Sequence, residues 1–143
     1  TVGRTARHPH PPTARPGLAG LASGLRDSID LIKEAGHGEN NQARITGGGA
    51  RSPQWRQTHA DVIDAELETV NTTEGSAYGA ALLAATGAGI FPYIESACAA
   101  TIRITGSTAP GPASRIYQEV YPLYRDLYPA LRPSFNAIAR AVG

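Results

Sequence analysis

Three consecutive glycines at residues 47–49 join a short apolar stretch to a strong helix start, and this junction constrains the fold more than any other segment. Residues 43–46 favour a strand, and Ser52 followed by Pro53 is typical of a helix N-terminus. Without Cβ atoms the turn can adopt positive φ and bring its N–H groups close to a bulky anion. A helix that begins at Pro53 also points its positive end back at the glycines. The junction therefore predicts a site for phosphate oxygens.

The glycine motif alone leaves two interpretations open. Three glycines can also turn the chain between a strand and a helix without binding any ligand. The segment lacks the GK[ST] of a Walker loop, and it lacks a GxGxxG followed about 20 residues later by an acidic residue. A wider pattern must decide between the two.

The spacing of apolar residues predicts an alternation of helices and strands. A helix is expected from residue 18 to about 36, because apolar residues recur at spacings of three and four. Those residues are Leu18, Leu21, Leu25, Ile29 and Ile32. Further helices are predicted at residues 53–63, 74–86 and 94–100, and strands are predicted at residues 67–70 and 101–105. Thr72 or Thr73 is expected to cap the helix at residues 74–86. Such an alternation predicts an α/β fold with right-handed crossovers.

Prolines mark the remaining segments. Residues 7–17 contain four prolines and are predicted to form a loop, as are residues 106–112. The tail from residue 113 is helical in pattern, and its tyrosines at 117, 121, 124 and 128 are expected to form a docking face against the body of the protein. Pro122, Pro129 and Pro133 are expected to kink or divide this helix.

Composition limits the classes of partner. Lys and Arg number 13 against 12 Asp and Glu, a net charge of +1, which indicates neither a nucleic acid nor a membrane partner. The single cysteine, Cys98, forms no internal disulfide and fits a reducing cytoplasm. The longest apolar run, residues 77–90, is too short to cross a bilayer. The first residue is Thr1 and no leader follows it, so we expect a cytoplasmic fragment of a larger protein.

Four segments together resemble a known family. The sequences RITGGGARSPQWRQTHAD at residues 44–61 and TTEGSAYGAALLAATGAG at 72–89 resemble the C-terminal lobe of the FGGY carbohydrate kinases, with the xylulokinases as the most similar members. GLRDSIDLIKEAG at 24–36 resembles the helix before the glycine strand, and YPLYRDLYPALRP at 121–133 resembles the closing helix. The resemblance covers roughly residues 20–140.

The resemblance implies a fold and an activity. It implies an α/β fold, part of the actin-like ATPase (ribonuclease H-like) C-terminal lobe of a sugar kinase, incomplete in this chain. Residues 1–19 would be an irregular proline-rich segment, and residues 20–143 a partial nucleotide-side lobe. The implied activity is ATP-dependent phosphorylation of a sugar, D-xylulose to D-xylulose 5-phosphate, with ATP and Mg²⁺ held through the nucleotide. The sugar would bind through an N-terminal lobe absent from this chain, and the resemblance also allows for a homodimer of the full-length enzyme.

The resemblance also implies which residues meet the nucleotide. They are Gly47, Gly48, Gly49, Ala50 and Ser52, with Trp55 and Gln57 as supporting residues. No catalytic residue is assigned, since the family's general-base aspartate lies upstream of this chain. The carboxylates of Asp27, Asp61, Asp64 and Glu74 are interpreted as solvated helix charges or dipole partners. No metal ligands are assigned, because the His8 and His10 pair has no further ligand at a useful spacing.

One segment departs from the family pattern, and two other hypotheses stay open. Where the family has a glutamate before the residue matching Gly20, this chain has Ala19, preceded by four prolines. A slipped reading frame over about residues 7–19 would explain this departure. The alternative to a kinase lobe is a catalytically inactive truncated or frameshifted remnant of such a kinase. A third hypothesis is an unrelated nucleotide-binding module on a doubly wound sheet.

Overall fold

The computed structural model describes residues 14–36 and 42–142, which form a three-stranded sheet packed between helices. The elements in chain order are α1 (Ala14–Glu34), β1 (Gln42–Ile45), a 3₁₀ turn (Gly48–Arg51), α2 (Pro53–Ile63), β2 (Glu66–Val70), α3 (Gly75–Gly87), α4 (Ile94–Thr101), β3 (Ile104–Thr108) and α5 (Ser114–Val142). The α/β class, the strands at β1 and β2 and the helices α2, α3 and α4 are therefore confirmed.

The sheet has the strand order β1-β2-β3. Strands β1 and β2 are parallel, with Ala43 opposite Leu67, and α2 forms the connection between them. Strand β3 pairs antiparallel with β2. The prediction of a strand at residues 101–105 is wrong in position, and so is that of a loop beginning at residue 106. Thr101 belongs to α4, where its hydroxyl donates to the carbonyl of Ala97 at 2.7 Å.

The core is centred on α2 and the strand that follows it. All residues from Thr58 to Ile63 are buried, and Leu67 on the central strand is 2 % exposed. Helix α2 contacts α1, α5, β2 and β3, so four elements share its surface. In the part of the chain that the structure describes, no helix combines the length and the apolar composition needed to span a membrane.

Helix α1 begins earlier than the sequence predicts. It begins at Ala14, so the prediction of a loop is wrong for residues 14–17, and the predicted irregular segment is helical over residues 14–19. Pro16 lies in the first turn of the helix, where a missing N–H leaves no bond unmade. Residues 7–13, and with them His8 and His10, lie outside the described residues.

The apolar stripe that predicts α1 is largely exposed. Leu21, Leu25 and Ile32 are 64, 47 and 51 % exposed, whereas the small residues Ala22 and Ser23 are buried. Small side chains let two helices approach closely, and α1 packs on α2 through this narrower face.

Helix α5 is one continuous helix. The predicted division at the three prolines is not observed, and all three prolines are exposed, so water can reach the carbonyl groups that they leave unpaired. The predicted tyrosine face packs only in part. Tyr121 is buried and Tyr117 and Tyr124 are half-buried, whereas Tyr128 is 64 % exposed.

Tyr121 on α5 forms hydrogen bonds with two residues of α1. Its hydroxyl lies 2.6 Å from Oδ1 of Asp27 and 2.8 Å from Oδ2 of Asp30. The guanidinium of Arg26 lies 3.8 Å from the centre of the Tyr121 ring. Burial raises the pKa of Tyr121 above its ordinary value, and the two neighbouring carboxylates raise this pKa further.

Candidate functional site

The glycine turn follows directly on strand β1 and is fixed at both ends. Gly47 has φ of +92°, a conformation that side chains with a Cβ rarely adopt, and its N–H donates to the carbonyl of Thr73 at 3.1 Å. Ala50 is buried, and its N–H donates back to the carbonyl of Gly47 at 3.1 Å. The turn is therefore anchored to the loop before α3 and to the core.

The carbonyl groups of the turn are bonded within the protein, whereas two of its N–H groups are not. The carbonyl of Gly49 accepts from the N–H of Ser52 at 3.0 Å, and the carbonyl of Ala50 accepts from the guanidinium of Arg56. Gly48 and Gly49 are exposed. Their N–H groups make no hydrogen bond to the backbone or side chains of residues 14–36 and 42–142. Two exposed glycines thus offer donors that this part of the chain does not use, an arrangement that can bind an anion.

Helix α2 begins next to these donors. Ser52 is its N-cap, with Oγ accepting from the N–H of Trp55 at 3.3 Å, and Pro53 is the first helical residue. The predicted cap is confirmed. Because the positive end of the helix dipole lies at this end, α2 adds a favourable potential for negative charge beside the turn.

The two supporting residues of the motif have different surroundings. The ring of Trp55 lies against Gly49 and contacts the tilted ring of His59, with ring centroids 4.3 Å apart. Gln57 instead donates to Oδ1 of Asp61 at 2.8 Å and to the carbonyl of Ala109 at 3.1 Å. Trp55 therefore supports the turn, whereas Gln57 supports the loop between β3 and α5.

Sequence reasoning missed the residues that hold the turn from outside the motif. Arg51 donates to Oγ1 of Thr73 at 3.2 Å, so the side chain and the carbonyl of Thr73 both contact the turn segment. A Cβ on Gly75 would lie 2.6 Å from Oγ1 of Thr46, so any larger residue at the start of α3 would require the Thr46 side chain at the end of β1 to shift. The pair of Thr73 and Gly75 in the second quoted motif was the available signal, since it places a threonine and a glycine just before a helix.

The predicted capping of α3 is wrong in detail. Glu74 occupies the N-cap position itself and makes no side-chain capping bond. Thr72 contributes through Oγ1, which accepts from the N–H of Glu74 at 3.2 Å. Thr73 is engaged with the glycine turn instead, because both its carbonyl and its hydroxyl accept from that segment.

Three of the four carboxylates that were interpreted as solvated have tertiary roles. Asp61 is 4 % exposed and accepts from the N–H of Gly111 at 2.7 Å. Asp64 accepts from Oγ of Ser114 at 2.8 Å, at the start of α5. Asp27 accepts from Tyr121. The interpretation as a solvated charge is wrong for Asp61, which is buried, whereas Asp64 is exposed and the side chain of Asp27 is 41 % exposed. Each of the three also accepts a bond from a residue more than 45 positions away, which spacing along one helix cannot reveal.

A second concave region lies between the sheet and the helices α3 and α4. It is an open, apolar cavity of about 320 Å³ whose lining includes Thr46, Val70, Leu82 and Cys98. Over residues 14–36 and 42–142, no group of three or more His, Cys, Asp or Glu side chains is placed to hold a metal ion.

Comparison with known proteins points to one family. Residues 2–88 match the C-terminal domain of the FGGY family of carbohydrate kinases. The chain is 34 % identical over 128 residues to a xylulose kinase of Staphylococcus epidermidis, covering 89 % of this chain and 26 % of that protein. The chain thus spans about a quarter of the length of this relative.

Solved structures show the same likeness. A xylulose kinase from Rhodospirillum rubrum superposes with a TM-score of 0.78 at 28 % identity, covering 94 % of this chain and 27 % of that one. A gluconate kinase from Lactobacillus acidophilus superposes with a TM-score of 0.81 at 25 % identity, covering 96 % of this chain and 28 % of that one.

Proposed function

The chain belongs to the FGGY family of carbohydrate kinases, and on that basis we propose that it takes part in the ATP-dependent phosphorylation of a sugar. The observation that carries the proposal is the pair of unpaired N–H groups of Gly48 and Gly49 beside the N-terminus of α2, within the matched residues. Phosphoryl transfer depends mainly on positioning and charge stabilisation, to which rigid backbone donors contribute.

In this proposal, five residues hold the phosphates of the nucleotide. Gly48 and Gly49 donate through their N–H groups, and Gly47 supplies the positive φ that turns the chain toward them. Ala50 anchors the turn in the core, and Ser52 caps the helix whose dipole faces the anion. All five lie in one continuous segment, so a single rigid unit would carry the nucleotide.

The remaining parts of the reaction would come from elsewhere in the enzyme. Residues 20–143, together with residues 14–19 at the start of α1, would form part of the nucleotide-side lobe, and the sugar would bind to an N-terminal lobe. Mg²⁺ would be held through the phosphates of ATP rather than by a protein cluster. The proposal also includes a cytoplasmic location and a homodimer of the full-length enzyme.

D-Xylulose is the sugar that we propose, with D-xylulose 5-phosphate as the product. Support comes from the names of the relatives, which include a xylulose kinase at 34 % identity. The likeness to a gluconate kinase at a TM-score of 0.81 shows that this fold alone does not select the sugar. The choice of substrate therefore rests on residues outside the glycine turn.

A catalytically inactive remnant is the second candidate. It is favoured by the apolar side chains that the chain leaves exposed on α1 and α5, such as Leu21 and Ile138, which are 64 and 60 % exposed. Surfaces of this kind are buried in a complete enzyme or promote association when they stay exposed. The two candidates differ in whether the isolated chain retains the nucleotide half-site.

Two measurements test the proposal. Calorimetric titration of the chain with ADP is expected to show binding, and the absence of measurable heat at any protein concentration would favour the remnant. Fusion of the chain to the upstream lobe of a xylulose kinase relative is expected to give ATP-dependent phosphorylation of D-xylulose.

Gly48→Val is the most informative variant in both measurements. Apart from the adjoining backbone of the turn, no atom of the described residues lies within 4 Å of the Cβ position of Gly48, so a side chain there has open space beside the proposed phosphate site. Gly20→Ala on α1 is the matched control, because its Cβ position is equally open. Unchanged ADP affinity in Gly48→Val would contradict the assigned site.

A further inference from the structure

We propose that Trp55 is a positioning residue that keeps the N–H groups of Gly48 and Gly49 directed outward, an inference that rests on the proposed function. A Cβ on Gly49 would lie 2.8 Å from Nε1, 3.1 Å from Cε2 and 3.2 Å from Cδ1 of Trp55. If this Cβ position lay in the plane of the indole, beyond Nε1, it would be much farther from Cε2 and Cδ1 than from Nε1. The near-equal distances therefore place Gly49 above the face of the indole.

The indole also contacts a buried residue of the same helix. The ring of His59, which is 4 % exposed, is tilted by 38° from the indole, with ring centroids 4.3 Å apart. Nδ1 of His59 lies 2.9 Å from the carbonyl oxygen of Trp55, and the N–H of Trp55 is bonded to the cap Ser52. The position of the ring is thus determined by α2 and its buried interior.

Within the glycine turn, only the peptide before Gly49 needs the support of the indole. The peptide after Gly49 is fixed, because its carbonyl accepts from Ser52 and the next carbonyl accepts from Arg56. The peptide between Gly48 and Gly49 lies in the 3₁₀ turn, but its N–H makes no hydrogen bond to the described residues. Two adjacent glycines without Cβ atoms leave this peptide less constrained than the one that follows. Contact with the indole face restricts rotation of this peptide, so it holds the donors in one direction before the ligand arrives.

Gly49 and Trp55 should therefore be coupled in nucleotide affinity. Gly49→Ala places a methyl group against the indole, and we expect it to weaken ADP binding by about ten-fold. Trp55→Ala removes the support and is expected to weaken binding about five-fold, whereas Trp55→Phe keeps an aromatic face and is expected to lose about two-fold or less. In the double variant Gly49→Ala with Trp55→Ala, the clash is absent, so the loss should match that of Trp55→Ala alone.

The experiment is a calorimetric double-mutant cycle with ADP on the full chain, with urea unfolding of every variant. Gly20→Ala, whose Cβ position is open, is the control and should leave the affinity unchanged. A merely structural role would lower stability but would give no rescue of affinity in the double variant. Additive losses in affinity, or an unchanged affinity in Trp55→Ala, would overturn the inference.

A measurement without ligand separates this inference from the proposed function. Because Gly49 lies above the indole face, its Hα resonances should be shifted upfield by the ring current, and Trp55→Ala should remove that shift. Trp55 is the only tryptophan, so its fluorescence should also change in Gly49→Ala. If the chain binds no ADP but the upfield shift is present, the proposed function fails and the contact stands. If the shift is absent, the inference itself fails.

Discussion

Helix α2 and the outer half of α5, residues 128–142, both have apolar residues at helical spacing, but only α2 is covered. Residues Thr58 to Ile63 are all buried, whereas Phe135, Ile138 and Val142 are 49, 60 and 81 % exposed. The difference lies in the neighbours. Helix α2 contacts α1, α5, β2 and β3, whereas the bonds from α5 to α1 come from Tyr121 and Arg125 in the inner half. The glycine turn therefore adjoins the helix that other elements of this chain cover.

The largest effect should come from truncating a side chain in the covered region. Leu67→Ala, on the central strand at 2 % exposure, is expected to cost about 3 kcal/mol of unfolding free energy, because it leaves a cavity among packed neighbours. Ile138→Ala in the outer half of α5 is the matched variant and should cost less than about 0.5 kcal/mol. Urea unfolding measures both.

The cost of Ile138→Ala tests whether the outer half of α5 is uncovered in solution. A large loss in Ile138→Ala would mean that the outer half of α5 is covered in solution, for instance by a second copy of the chain. Repeating the unfolding at several protein concentrations would identify such a copy, because stability that depends on association rises with concentration.

A smaller effect is expected from two carboxylates, one buried on α2 and one exposed on α5. Asp61→Ala removes the acceptor for the N–H of Gly111 and one acceptor for the side chain of Gln57, which leaves the half-buried N–H of Gly111 unpaired. We expect a loss of about 2 kcal/mol in urea unfolding. Asp126→Ala, on an exposed position of α5, is the control and should be close to neutral. Equal losses in the two variants would contradict the anchoring role of Asp61.

The sequence contained the local structure of the site but not its tertiary contacts. The strand, the glycine turn and the capped start of α2 were predictable, because Gly47, Ser52 and Pro53 act through their own backbone preferences. The roles of Asp61 and Thr73 were not, since each bonds to a residue at least 22 positions away. The exposed stripe of α1 shows the same limit. Leu21 and Leu25 indicate a helix correctly, but which face packs depends on α2.

The family resemblance supplied what local patterns lacked. The three glycines alone allowed a plain turn as readily as a phosphate site, and the order of four matching segments decided between them. Strand β3 was misplaced because its residues are exposed and carry little apolar alternation, so only pairing with β2 defines it. The resemblance did not correct this, because it was carried by the glycine turn and the helices around it.

The smallest effect is a pH dependence at the contact between α1 and the inner half of α5. The pKa of Tyr121 is raised in the folded chain, first by burial and then by the carboxylates of Asp27 and Asp30. In the unfolded chain this pKa is about 10. The folded state therefore keeps a proton that the unfolded state loses, so the contribution to stability is complete below about pH 10 and is lost as the pH rises beyond it.

Tyr121→Phe should reveal this contribution. It removes the hydroxyl that joins α5 to α1 and is expected to cost about 1 kcal/mol at neutral pH. Between about pH 9 and 11, the unfolding free energy of the wild-type chain should fall more steeply than that of the variant, because only the wild type has this group to titrate. Tyr128→Phe, at 64 % exposure, is the control and should follow the wild-type slope. Equal slopes of unfolding free energy against pH for all three proteins would show that Tyr121 does not hold the inner half of α5 in solution. The uncovered part of α5 would then begin closer to the start of that helix than residue 128.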